Sequence, residues 1–209
     1  MATRTLTRLY DSYEDAAHVV QALQTAGIPH EDISLVANNA EGGSAAGGSG
    51  TGLTSGDPEQ GAATGAGTGA TLGTVLGGGA GLLAGLGSLA IPGVGPIVAA
   101  GWLVATLTGA GVGAAAGGLL GSLTGAGVSE ADAHTYTEGV RRGGSLVTVR
   151  ADETQSVAVE AILDGRNPVD LTARRAAYEM EGWERFDQGA SAYTAEQVTT
   201  ERARRVRAL

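Results

Sequence analysis

Cysteine is absent from the sequence, which excludes a disulfide framework, a thiolate zinc site, an iron–sulfur cluster and a cysteine nucleophile. Lysine is missing as well, and all 13 basic residues are arginine. That removes lysine phosphate loops, pyridoxal Schiff bases and lysine general bases. Aromatic residues make up only 4% of the chain, too few for one aromatic-rich core. Charged side chains are sparse at 17%, and a formal charge of −9 argues against a nucleic-acid partner, whose phosphates require a positive surface. No apolar stretch precedes Asp11, so no secretory leader is expected. The expected location is the cytoplasm, in association with the inner face of the cell membrane.

Glycine is what the sequence has in excess, with 36 of 209 residues, and 43% of residues are hydrophobic, too many for simple disorder. The charges are unevenly spread. From Gln60 to Ser129, 70 residues pass without an Asp, Glu, Lys, Arg or His. This run divides the chain into residues 1–38 and 129–172, read as two halves of one domain, a Gly/Ser linker at 39–60, the run itself at 61–128, and a C-terminal helical extension at 173–209.

The two polar halves resemble each other. In the first, Leu6, Leu9 and Tyr10 suggest a strand, Ser12 and Asp15 a capping box, Ala16, Val19, Val20 and Leu23 an apolar helical stripe ended by Gly27, and Ile33 to Val36 a second strand. In the second, Ser129 with Asp132 caps a helix that stops at Gly143-Gly144, Leu146 to Val149 form a strand, and Asp152 with Gln155 starts another helix. Val169 to Leu171 complete the set as a fourth strand. The expected fold class is α+β, a ferredoxin-like split β-α-β sandwich with helices on one face of a four-stranded antiparallel sheet and a helical hairpin inserted between its second and third strands.

Inside the run, Gly61, Gly65, Gly69, Gly73, Gly77, Gly81 and Gly85 recur every four residues, and Gly109, Gly113, Gly117, Gly121 and Gly125 repeat the interval further on, with Gly101 on the same series and Ala105 between. Between them Pro92, Gly93, Gly95 and Pro96 mark a turn, since neither proline can continue a helix. Arms at 61–91 and 97–127 would each extend about 46 Å as helices, enough to cross a hydrocarbon core of roughly 30 Å. Glycine opposes this in water: 22 glycines between 61 and 127 cost on the order of 20 kcal/mol of helix propensity. A bilayer, or close helix contact along the glycine stripe, would have to compensate. The expectation is therefore self-association through this glycine zipper, with the chain itself and a lipid bilayer as partners. The alternatives are a soluble homo-oligomer or filament with its zippers buried between subunits, and a small-ligand-binding regulatory domain.

Catalytic signals are thin. No serine sits in a G-x-S-x-G elbow, His18 and His134 fall on polar helix faces, His30 follows Pro29 in a turn, and the carboxylates cluster in first helical turns, where capping explains them. No catalytic residue, cofactor or metal ligand is nominated, and the chain is read as a non-enzyme.

Three segments carry a family resemblance: Tyr10-Asp11-Ser12-Tyr13-Glu14-Asp15-Ala16; Ile91-Pro92-Gly93-Val94-Gly95-Pro96 followed by Ala99-Ala100-Gly101; and Tyr136-Thr137-Glu138-Gly139-Val140-Arg141-Arg142-Gly143-Gly144. Over residues 3 to 172 the chain resembles the bacterial general stress protein family, the heat-induced 17M-like domain. The resemblance implies a stress-induced bacterial protein with no established catalytic residues to carry over. In the extension, Trp183 and Phe186 are expected to dock back on the domain, and a helix capped by Thr194 and Gln197 ends in Arg202, Arg204, Arg205 and Arg207, suited to anionic lipid or to a helix C-terminus.

Overall fold

The computed structural model describes residues 3–40, 87–91, 93–108 and 112–207. Alternating apolar residues form strand β1 (Thr3–Tyr10), with Leu6 and Tyr10 turned to one face and Leu9 to the other. Helix α1 (Tyr13–Thr25) starts as expected, Ser12 Oγ accepting from the Asp15 amide at 3.0 Å and donating to its carboxylate at 2.8 Å. Gly27, at φ +88°, turns the chain toward β2 (Ile33–Asn38). Then come β3 (Gly87–Ile91), β4 (Gly95–Gly101), α2 (Trp102–Thr108) and α3 (Val112–Gly125). The chain continues through α4 (Glu130–Arg141), β5 (Ser145–Asp152), α5 (Ser156–Asp164), α6 (Leu171–Met180) and α7 (Ala195–Arg207).

The fold is α+β, built on a five-stranded antiparallel sheet in the order β1-β5-β2-β4-β3. β1 and β2 run parallel to each other with β5 between them, so β1-α1-β2 is a split β-α-β unit. One face buries Leu6, Tyr10, Ile33, Leu35, Val147 and Val149 under α1 and α5, and the other buries Leu9, Val36, Ile97 and Leu146 under α2, α3 and α4. The expected four-stranded sheet covered on one face is thereby corrected: β2 and β5 are apolar on both sides and need cover on both. Val169 donates one backbone hydrogen bond to Leu9 O at 2.8 Å, but Leu171 opens α6, so the segment is no fourth strand. Asp170 supplies the reason, its carboxylate accepting from the Thr172 and Ala173 amides and starting a helix instead. Ser129 caps α4 as expected, whereas Gln155 makes no side-chain cap and α5 begins at Ser156.

The largest departure is inside the uncharged run. Residues 97–127 are not one helical arm but a strand and two helices, and the turn at 91–95 joins two strands. Gly93 and Gly95 have φ of +76° and +98°, and the Val94 amide donates to Ile91 O at 3.1 Å across that turn. Pairing β4 with β2 satisfies backbone groups that a glycine-rich helix would hold only at a cost, and the β-branched Ile97 and Val98 suit a strand. Val94 is fully buried, so the hairpin tip faces the core. The described part of the run does not stand apart from the sheet domain: Ile91, Val94, Ile97, Leu103, Leu119 and Leu123 share one core with Leu9, Tyr136, Val140 and Leu146. Among the described residues no helix is long and apolar enough to cross a membrane.

Candidate functional site

The residues nominated for self-association separate into three groups. Gly61, Gly65, Gly69, Gly73, Gly77, Gly81, Gly85, Gly109 and Pro92 lie outside the described residues. Gly113, Gly117, Gly121 and Gly125 do fall on one helix, α3. Gly101 does not: it ends β4 at φ +93°, and a Cβ there would collide with Ile33 O and come within 2.7 Å of Ser34 Cα. Close strand approach, not helix packing, is what Gly101 serves. Gly118, outside the four-residue series, meets Ile91 most closely, whereas Gly125 faces open space. Of the turn residues, Gly93 and Gly95 do turn the chain, while Pro96 is an exposed strand residue opposite Ala90.

The densest chemistry sits in the segment Tyr136 to Gly144, at the C-terminal end of α4. Glu138 is buried with its side chain 1% exposed, and accepts from Arg142 Nε at 2.6 Å and Arg141 Nη1 at 3.2 Å. Helical spacing alone creates the pair, since positions four apart share a face. Arg142 also reaches Glu181 at 2.5 Å and Glu201 at 3.5 Å, and its guanidinium lies 4.1 Å above the ring of Tyr178. Arg141 stacks on Tyr193 at 4.8 Å and donates to Ser191 O at 2.8 Å. Next to this cluster Asp11 takes a two-pronged contact from Arg174, at 2.9 and 2.7 Å, and another from Arg205 at 2.9 Å. Arg205 bridges the groups by donating to Arg142 O at 3.1 Å, and Arg202 donates to Gly143 O at 3.0 Å.

Electrostatics follow from these contacts. Burial works against the Arg142 charge, but its bonds to Glu138 and Glu181 outweigh that and raise it above the usual guanidinium range. Burial pushes Asp11 up, yet Arg174 and Arg205 bring it below the usual carboxylate range. Tyr136, which donates to Thr7 O at 2.9 Å, is pushed up to about 12, chiefly by burial. The buried carboxylate is committed to arginine, an arrangement that ties elements together and offers no free base for proton transfer. Sequence reasoning missed this network, although the Glu138-to-Arg142 spacing inside a quoted motif was the signal that pointed to it. The extension behaves partly as expected: Phe186 is buried in the core, Thr194 and Gln197 cap α7 reciprocally, and Trp183 packs edge-on to Tyr178 at 5.6 Å. Of the terminal arginines, Arg202 and Arg205 face the domain, while Arg204 is exposed. His18 and His30 are exposed, and His134 lies 3.9 Å from Glu130. Among the described residues no group of histidine and carboxylate side chains is placed to hold a metal. No family model matches this sequence, and neither a curated protein nor a solved structure matches it.

Proposed function

We propose that the chain is a non-enzymatic bacterial general stress protein that acts by self-association through its uncharged run. The observation that supports this most is where the run enters the described fold: Gly87 opens β3, which among the described residues stands last in the sheet order, at one edge. A sheet edge is a natural site for adding further copies. The interleaving of β1-α1-β2 with β5 supports a ferredoxin-like kinship for the body, with cover on the second face added by the run's own helices.

Of the two settings for such assembly, a soluble or peripherally attached one fits better than a spanning hairpin. β2 pairs with both β4 and β5, so the chain before and after the run lies on one side of any bilayer. A return crossing needs about 40 apolar residues, and residues 60–86 number 27. Replacing Gly73, Gly77 and Gly81 together with leucine tests the role of the glycine stripe. Crosslinking and light scattering should show a smaller assembly with the body still folded. An unchanged assembly mass would remove the stripe from the interface.

A further inference from the structure

The residues between α6 and α7 form no helix or strand, yet they lie tightly over the β3–β4 turn. A side chain at Gly93 would come within 2.9 Å of Gln188 Cα and 3.0 Å of Asp187 O, and one at Gly95 within 2.8 Å of Ala192 Cβ. Phe186 enters the same core as Ile91, Val94 and Ile97. Further on, Val198 is fully buried against Gly143, where a Cβ would stand 2.6 Å from its Cγ1. The glycines of the hairpin turn and of the α4 terminus thus form a seat for the C-terminal segment.

The attachment has an unusual composition. Among the described residues its buried apolar side chains are Phe186 and Val198, and the polar contacts named above that hold residues 183–207 have arginine as donor: Arg141 to Ser191, Arg142 to Glu201, Arg202 to Gly143, and Arg205 to Asp11 and Arg142. The outer side of α7, with Glu196, Thr199, Thr200, Ala203 and Arg204, is exposed. Gly182, at φ +84° with open space around it, lies at the point where the segment departs from α6. We propose that residues 183–207 are a releasable strap that clamps the β3–β4 hairpin to the sheet and opens when its arginine contacts are displaced. Opening frees the part of the uncharged run that, among the described residues, is paired into the sheet, and it does not depend on whether that run associates with other copies.

A single cysteine introduced as Ala192→Cys reports strap position, because the chain has no other thiol. In the full-length protein, adding Arg202→Gln and Arg205→Gln should speed labelling by about tenfold or more, as two charge-assisted contacts are lost. Hydrogen exchange should rise in the same variant for the amides of Val94, Gly95, Ile97 and Val98 and stay unchanged in β1 and β5. Raising sodium chloride from 50 mM to 1 M on the Ala192→Cys protein alone should move both readouts the same way, and decides the matter if the double variant does not fold. Unchanged labelling and exchange would overturn the strap, as would a uniform rise in exchange across β1 and β5, which would mean that these arginines hold the whole domain.

Discussion

Replacing Arg142 with methionine keeps its length and removes its charge, leaving the carboxylate of Glu138 buried beside Arg141 alone. Unpairing a buried ion costs about 3–5 kcal/mol, and the 3.2 Å contact from Arg141 puts this case near the lower end, about 3 kcal/mol. With a urea dependence of about 2 kcal/mol per molar for a domain of this size, the unfolding midpoint should fall by about 1.5 M. The double variant Glu138→Met/Arg142→Met removes both buried charges and should recover most of the loss, to within about 1 kcal/mol of the parent. Urea titration followed by far-UV circular dichroism measures both. A midpoint shift below about 0.3 M in the single variant, or a double variant as unstable as the sum of the singles, would refute the buried pair as the organising contact of the α4 terminus.

Three further outcomes are expected. Asp11 is held below its ordinary range in the folded chain, so its contribution is present above the unfolded carboxylate value and is lost as pH falls through the lower folded one. Asp11→Asn should therefore lower stability at pH 7 and flatten the acid limb of a melting-temperature profile. Tyr136, raised to about 12, should make the fold lose stability from about pH 10 upward, and Tyr136→Phe should remove part of that loss while costing about 1 kcal/mol at neutral pH for the hydrogen bond to Thr7. Gly101→Ala should be severely destabilising because of Ile33 O and the left-handed backbone, whereas Gly125→Ala should be neutral or stabilising by up to about 1 kcal/mol; paired thermal melts separate the two.

Local signals carried the polar halves well. Ser12 and Ser129 capped the expected helices, Gly27 and Gly143 ended them or followed them in left-handed geometry, and the stripe Ala16, Val19, Val20 and Leu23 is buried. The run was harder to read because period-four glycines satisfy two geometries. Gly101 serves positive φ and close strand approach, while Gly113 to Gly125 lie on a helix, and spacing alone does not distinguish these uses. Sheet order was hidden for a similar reason: β4 reaches β2 across more than fifty residues, a pairing set by tertiary fit and not by any neighbouring residue. Beyond the Glu138-to-Arg142 spacing, the arginine network was not legible, because its partners, from Asp11 to Arg205, are brought together only by the finished fold.

The mass of the full chain purified without detergent, measured by light scattering after size exclusion at tens of micromolar, bears most directly on self-association through the uncharged run. A discrete multiple of 20.6 kDa is expected, reduced by the Gly73, Gly77 and Gly81 leucine variant. A parent that elutes as a 20.6 kDa monomer would contradict it.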